Sequence, residues 1–264
     1  MLKCKYGERL MKFQEIADLD QAFKITSNSE NKSSQMVGTM TDSYHFDSNG
    51  NESWRGGLLK TISQLNEIVF NSGEEMWGNV CYTRKPAGFD FIDLIPEQNE
   101  CFKSRRRNIA RIAQHIDSVF EIGVNAGHSA ALWLTFNENI NYYGVDICRD
   151  NYMRSCTDFL KQEFGDRFNF FVGDSRTELQ TISKKINKKI DLIHVDGGHS
   201  FELASSDLLA SIEISKKLQT NFILLDDTDN EPVRLAANKH IMKGLLQTET
   251  LGGSFEQLST QLLR

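Results

Sequence analysis

Between residues 118 and 225, five short, mostly apolar runs recur: Ser118–Ile122, Ile140–Val145, Phe168–Val172, Ile190–Val195 and Phe222–Leu225. Segments with helical spacing of apolar residues separate them. Examples are Tyr152, Cys156, Phe159 and Leu160, then Leu179, Ile182 and Ile186, then Phe201, Ala204, Leu208 and Ile212. A strand that is apolar on both faces must be covered on both, and an amphipathic helix between each pair supplies the cover. The pattern predicts an α/β fold with a doubly wound, mostly parallel sheet. Pro232 suits the first turn of one more helix. Beyond it, Leu245–Thr250, then Gly252 and Gly253, then Phe255–Leu263 with Leu258, Thr260 and Leu262 alternating predict a C-terminal antiparallel hairpin.

The chain ahead of this region is less regular. Ile109, Ile112, Ala113 and Ile116 mark one helix, and Leu58, Leu59, Ile62, Leu65, Ile68 and Val69 another. Residues 73–101 scatter Trp77, Tyr82, Phe89, Phe91 and Ile92 among Gly and Pro and suggest irregular structure. Trp77, Tyr82 and Phe89 suit either a lid or a buried core. The tract Ser27–Asn51 is rich in Ser, Asn, Asp and Gly and predicts a loop or flexible linker. Phe13, Ile16, Ala17, Leu19 and Phe23 fit one short helix. Three segments follow: an extension over 1–55, a helical and irregular cap or lid over 56–104, and the regular α/β domain over 105–264.

Composition excludes some function classes. A net charge of −6 argues against bulk binding of nucleic acid, whose phosphates demand a basic surface. The basic runs Lys103-Ser-Arg105-Arg106-Arg107 and Lys184-Lys185-Ile-Asn-Lys188-Lys189 are expected to be solvated helix faces. Five cysteines without a C-x-x-C pair point to reduced thiols and not to a disulfide framework or zinc site. No apolar run approaches a membrane span, and the N-terminus lacks the apolar core of a signal peptide. The expected setting is cytoplasmic, with a small-molecule substrate and neither nucleic acid nor membrane as partner. Association into a homo-oligomer is left open.

The segment most informative for chemistry follows the first strand: Glu121-Ile-Gly123-Val-Asn125-Ala-Gly127-His-Ser129. Glycine there allows a tight turn and close approach of backbone to a ligand. A nicotinamide dinucleotide would want G-x-G-x-x-G, so that its pyrophosphate meets a helix N-terminus. Here the spacing is E-x-G-x-x-x-G. A carboxylate aimed into such a crevice repels pyrophosphate and suits a ligand bearing an ammonium and a sulfonium. Acids also end the next three strands: Asp146, Asp174 and Asp196. Asp146 can accept the two ribose hydroxyls of an adenosine, and Asp174 suits an adenine amino group, with Ser175 as a helix cap. One such acid is more often a helix cap than a ligand group. Four at successive strand ends point to a binding crevice.

From about residue 105 to 264 the chain resembles the class I S-adenosylmethionine-dependent methyltransferases, with a Rossmann-like sheet. It is similar to their catechol O-methyltransferase-like and sugar or macrolide O-methyltransferase branches. The resemblance rests on Glu121-Ile-Gly-Val-Asn-Ala-Gly-His-Ser-Ala. It implies Glu121 and Gly123 near the methionine end, with Asn125 and Gly127 in the same loop, Ser129 near the carboxylate, Asp146 on the ribose, and Asp174 and Ser175 near adenine. The resemblance does not extend to residues 1–100.

A fifth acidic strand end, Leu225-Asp226-Asp227-Thr-Asp229, joins Asp196. Carboxylates without paired Cys or His suit Mg²⁺, Mn²⁺ or Ca²⁺. The metal-dependent branches place an Asp at the position of Asp196 and an acidic or amide pair at Asp226-Asp227. The resemblance therefore implies a divalent metal, with magnesium favoured, on Asp196, Asp226 and Asp227. The alternative is that Asp226 or Asp227 caps the helix near Pro232. A metal there would bind a substrate hydroxyl and lower its pKa. Asp196 and His199 are the candidate catalytic residues, His199 as general base, as in the D-G-x-H-S element of the sugar-modifying branch. The competing role for His199 is a hydrogen bond to loop backbone. His128 and His194 are weaker candidates, and His194, inside a strand, is expected to be a satisfied core histidine. The expected activity is O-methylation of a small hydroxylated molecule. The alternative is a noncatalytic nucleotide-binding or scaffold protein. A nicotinamide oxidoreductase is disfavoured by the glycine spacing. A base-methylating enzyme is disfavoured because Asp-Asp-Thr-Asp stands where an Asn/Asp-Pro-Pro-aromatic element would grip a flipped base.

Overall fold

The computed structural model describes residues 39–41, 44–46, 52–54, 56–74, 76, 80–81, 103–249 and 261–263. Three short strands come first: β1 (Thr39–Thr41), β2 (Tyr44–Phe46) and β3 (Glu52–Trp54). They pair antiparallel in the order β1-β2-β3. This corrects the expectation of a plain loop across this tract, since β-branched and aromatic residues at Thr39, Thr41, Tyr44, Phe46 and Trp54 suit strands. The rest of residues 27–51, the expected helix near Phe13–Phe23, and Trp77, Tyr82 and Phe89 lie outside the described residues.

Helix α1 (Gly56–Ser72) follows, then α2 (Lys103–Ala113). The main sheet is then built by alternation. In chain order it contains β4 (Ser118–Ile122), α3 (His128–Phe136), β5 (Asn141–Asp146), α4 (Asn151–Phe164), β6 (Phe168–Val172), α5 (Ser175–Lys185), β7 (Leu192–Val195), α6 (Phe201–Leu218), β8 (Phe222–Leu225) and α7 (Glu231–Met242). Strands β6-β5-β4-β7-β8 lie side by side and parallel. The fold is the Rossmann-like α/β sheet expected from the alternation. Two last strands, β9 (Thr248–Glu249) and β10 (Gln261–Leu263), extend the edge; β10 pairs antiparallel with both β8 and β9. The Gly252-Gly253 turn of the expected hairpin lies outside the described residues.

Burial follows the sequence periodicity. One apolar cluster lies between the sheet and α1, α2, α3 and α4, including Leu58, Ile62, Leu65, Val69, Ile109, Trp133, Tyr142 and Leu160. A second lies under α5, α6 and α7, including Leu179, Ile182, Leu208, Ile214, Val233 and Ala236. Helix α1 thus shares a core with α3 and α4. The basic run at Lys103 departs from expectation: Arg105 and Arg106 are buried. They sit one turn ahead of Ile109 on the same inward face. Arg106 donates to the Val80 carbonyl at 3.1 Å. The Lys184–Lys189 lysines are exposed, as expected. Among the described residues no helix is long and apolar enough to cross a membrane.

The order of the parallel strands fixes where a ligand can bind. β4 has β5 on one side and β7 on the other, so the connections leave it in opposite directions. Loops diverge at such a switch point and open a crevice at the carboxyl ends of the strands.

Candidate active site

A cavity of about 670 Å³ opens there. Each of the five parallel strands contributes the residues that immediately follow it: Gly123–Ala126 after β4, Asp146 and Ile147 at β5, Gly173–Arg176 after β6, Asp196–His199 after β7, and Asp227 after β8. Arg105 from α2 also lines it. Three non-glycine residues at these ends have left-handed backbone: Asn125 (φ 51°), Cys148 (φ 54°) and Asp227 (φ 55°). Such conformations are held by their surroundings and cluster where chains turn back at functional sites.

The glycine turn packs against β7. Gly123 has φ 87°, and a Cβ there would lie 2.0 Å from the Asp196 carbonyl oxygen. Only glycine lets the two strand ends approach this closely. Gly127 (φ 82°) is the N-cap of α3, and no side chain caps that terminus. The first N–H groups of α3, next to Ser129 at the cavity wall, therefore offer donors and a positive dipole end to an anion.

Glu121 does not face the cavity, contrary to expectation. Its side chain is fully buried in the sheet. The Tyr142 hydroxyl donates to Oε2, and His194 Nδ1 lies 2.9 Å from Oε1. The register explains this. Glu121 sits opposite Gly144 on β5 and His194 on β7. A Cβ on Gly144 would lie 2.9 Å from the Tyr142 hydroxyl, so the glycine makes room for Tyr142 to reach Glu121. His194 is buried between two carboxylates, with Nε2 3.8 Å from Asp226 Oδ2. Burial opposes its charge, but Glu121 and Asp226 outweigh burial and push its pKa up to about 10. It is thus a core histidine, as expected, but a charged one. The Trp133 indole meets it edge-on, with Nε1 3.4 Å from Nδ1. That contact is a hydrogen bond only for the neutral ring. The shorter contact to a carboxylate favours the proton on Nδ1.

Asp146 faces the cavity and is already engaged. Its Oδ2 accepts the Val124 and Asn125 N–H groups at 2.8 and 2.9 Å, and its Oδ1 accepts the Cys148 N–H at 2.9 Å. A carboxylate has about four acceptor sites, so about one remains. The expectation of two ribose hydroxyls on this residue is narrowed to one while these bonds hold. The Asn125 side chain is likewise engaged, accepting from the Tyr152 hydroxyl at 2.7 Å. Asp174, and not Ser175, caps α5: its Oδ1 accepts the Arg176 N–H at 2.9 Å. Hydrogen bonds from Arg176 hold its carboxyl down at about 2. Ser175 instead donates to Asp207 Oδ1 at 2.5 Å.

The acids of β7 and β8 do not converge as a set of three. The donor atoms that approach within 4.8 Å of one another belong to Asp196, His199 and Asp227, with a second group at Glu121, His194 and Asp196. Asp226 is turned inward, its side chain 3% exposed, between His194 and Arg105. Arg105 Nε lies 3.3 Å from Asp226 Oδ1, and its Nη2 lies 2.6 Å from Asp227 Oδ1 and 3.3 Å from Asp229 Oδ1. The other oxygen of Asp227 lies 2.8 Å from His199 Nε2. Asp227 therefore has both oxygens committed. Burial would raise its pKa, but the bonds from His199 and Arg105 outweigh burial and hold it ionised. Asp196, His199 and Asp227 are grouped closely enough to hold a cation, with Arg105 on the other oxygen of Asp227. Of the expected ligand set, Asp196 and Asp227 are brought together and Asp226 stands apart from them. Neither Asp226 nor Asp227 caps α7, whose N-cap is Asn230.

His199, with its side chain 53% exposed, stands at the cavity wall. Its hydrogen bond to Asp227 raises its pKa above the ordinary value. Burial and the neighbouring Asp226 and Asp227 charges raise that of Asp196. The His199–Asp227 pair has the form of an oriented base: Asp227 holds Nε2 and leaves Nδ1 for a substrate proton. His128 plays no such part. It is buried on Asn66 at 2.8 Å, and burial lowers its pKa to about 3.

Sequence reasoning missed three residues. Arg105 was masked by its basic run, although its position four residues before Ile109 marks the buried face. Ile147 is 60% exposed and lines the cavity, an apolar platform beside Asp146. Its only signal was position, one past a strand-end acid. Asp207 on α6 is buried beneath the loops after β6 and β7. A Cβ on Gly197 would lie 2.4 Å from its Oδ2. No local motif marks it.

A crevice at the switch point of a doubly wound sheet, with a glycine turn and acids at successive strand ends, is where folds of this kind take their ligands. Residues 120–228, from within β4 to just past β8, match the model of a methyltransferase domain family. No curated protein is significantly similar to the chain in sequence. Among solved structures, the SAH-bound methyltransferase PaMTH1 of Podospora anserina aligns with a TM-score of 0.53 at 12% identity, over 100% of this chain and 98% of that one. Cofactor-bound Rv0187 from MTB aligns with a TM-score of 0.50 at 13% identity, over 77% of this chain and 88% of that one. At such identities the likeness shows the fold.

Proposed function

We propose that this chain transfers the methyl group of S-adenosylmethionine to a hydroxyl oxygen of a small molecule, a sugar or related polyhydroxylated metabolite. The observation that carries the reading is the His199–Asp227 pair at the wall of a cavity lined mostly by the stretch that matches a methyltransferase domain family. The cavity suits the cofactor part by part. Its amino-acid carboxylate would meet the uncapped start of α3 and Ser129. Gly123 gives backbone access, and Gly127 shapes the turn with Asn125. Asp146 would accept one ribose hydroxyl, Ile147 would cover an adenine face, and Asp174 with Ser175 would take its edge. Glu121 acts on this site from within the sheet, through His194, and not by contact.

In the transfer, the acceptor oxygen attacks the methyl carbon and the carbon–sulfur bond breaks with its electron pair going to sulfur. The acceptor proton passes to His199 Nδ1. Asp196, whose carboxylate borders the same space, would orient a second acceptor hydroxyl. Metal assistance would have to use Asp196, His199 and Asp227, making His199 a ligand and not a base. The extents 1–55, 56–104 and 105–264 are retained as the proposed segments, with 56–104 bordering the cavity through Val80.

Methyl transfer from radiolabelled cofactor to a panel of sugars and catechols tests this, with and without excess chelator. Transfer to a hydroxylated acceptor that persists in chelator and is lost in His199→Ala supports it. Cofactor binding without transfer to any acceptor favours a noncatalytic scaffold instead.

A further inference from the structure

One guanidinium serves three carboxylates after β8. Arg105 is carried by α2, and its side chain is 7% exposed. It contacts Asp226, Asp227 and Asp229 at 3.3, 2.6 and 3.3 Å. Burial works against its charge, but Asp226, Asp227 and Asp196 outweigh burial and hold it protonated. On the sheet side His194 joins Glu121 and Asp226. On the cavity side Asp227 joins His199. The result is one line of alternating charge from core to cavity: Glu121, His194, Asp226, Arg105, Asp227, His199.

Each end of this line depends on its middle. Asp226 and Asp227 are adjacent in sequence, and Asp227 is held in a left-handed conformation at φ 55°. Without a cation between them their carboxylates would repel and swing apart. The guanidinium is a planar fork, able to bind several carboxylate oxygens in fixed directions. It sets the direction of Asp227, and Asp227 sets the direction of the His199 ring. A divalent ion held by Asp196, His199 and Asp227 would replace the His199–Asp227 bond and would face the positive charge of Arg105 on the other Asp227 oxygen.

We propose that Arg105 is the built-in counter-cation of the acceptor site, standing where a divalent ion would otherwise gather these carboxylates, so that His199 on Asp227 works without metal. Arg105 is a positioning residue: it acts through Asp227. The assignment rests on the methyl-transfer reading for the identity of the acceptor, but the arrangement of charge does not depend on that reading.

Manganese binding tests it directly, because Mn²⁺ reports its own coordination by electron paramagnetic resonance. The full chain is titrated with Mn²⁺ alone, and the same preparation with S-adenosylhomocysteine by calorimetry. The wild type should show no saturable Mn²⁺ site. Arg105→Met should tighten Mn²⁺ binding at least about tenfold, because it uncovers the acids. Adding Asp227→Asn to Arg105→Met should remove that binding. Arg105→Lys, which keeps the charge but not the fork, should resemble the wild type in its indifference to Mn²⁺. A saturable wild-type Mn²⁺ site that Asp196→Asn abolishes would overturn the proposal, whether or not Arg105→Met folds. A wild type that binds neither ligand would leave Arg105 in its role and remove the methyltransferase reading. One that binds both would do the reverse.

Discussion

Replacing Gly123 by alanine should damage both stability and cofactor binding, and the two losses have separate sources. At φ 87° an L side chain costs about 1–2 kcal/mol. The new Cβ would also lie 2.0 Å from the Asp196 carbonyl oxygen and 2.6 Å from its carbon. Both are backbone atoms of the adjoining strand end and cannot rotate away. Forcing such an overlap into a packed site costs about 1–3 kcal/mol more. The total is roughly 2–5 kcal/mol, which lowers the melting temperature by roughly 4–20 °C in a chain of this size. Relief must come by moving the turn off β7. That movement strains the Val124 and Asn125 N–H bonds to Asp146, so the ribose acceptor is lost with the turn. Gly165→Ala is the matched control: its φ is 58°, and nothing lies within 4 Å of the new Cβ. It should show the backbone part of the stability loss only and keep cofactor affinity. Thermal unfolding and calorimetry with S-adenosylhomocysteine read the two effects. If Gly123→Ala unfolds no earlier than Gly165→Ala and binds the cofactor product as the wild type does, the close packing of β4 on β7 is refuted.

Three further outcomes are expected. Glu121→Gln should destabilise the fold by about 3–5 kcal/mol, because it strands a buried His194 charge. His194 gains stability from being protonated when folded, with its pKa raised from 6.5 to about 10. That contribution is whole below about pH 6.5 and disappears as pH rises through about 10, so urea unfolding of wild type and variant should differ most at pH 6 and converge above pH 10. His199→Ala should lower turnover by roughly 10²–10⁴-fold. The wild-type rate should climb with pH as His199 loses its proton through its raised pKa, a climb absent from the pH–rate profile of the variant. Asp146→Ala should weaken cofactor binding by about 1.5–3 kcal/mol in calorimetry, the scale of a hydrogen bond to a charged group.

The sheet was legible because its strands are apolar on both faces, and burial on both sides leaves little freedom in where they sit. Val119, Phe120, Ile193 and Leu224 are all nearly fully buried, as their runs predicted. The strand-end acids were legible as a set, since strand ends alone define the crevice. Their directions were not. Whether Glu121 faces a ligand or the core depends on its neighbours across the sheet, Gly144 and His194, which lie far away in sequence. The partner of Asp227 was hidden for a related reason. Arg105 comes from a helix 122 positions earlier, and a run of four basic residues resembles a solvated face unless its spacing to Ile109 is weighed. Asp207 had no local signal, because a helix residue becomes part of a site only when loops from other strands close over it.

Equilibrium titration with S-adenosylhomocysteine tests the central claim, that the cavity at the carboxyl ends of β4 to β8 is a sulfonium-nucleoside site. One molecule should bind per chain, binding should weaken in Asp146→Ala, and NADH should not bind. Tight NADH binding with no heat from S-adenosylhomocysteine would contradict the account.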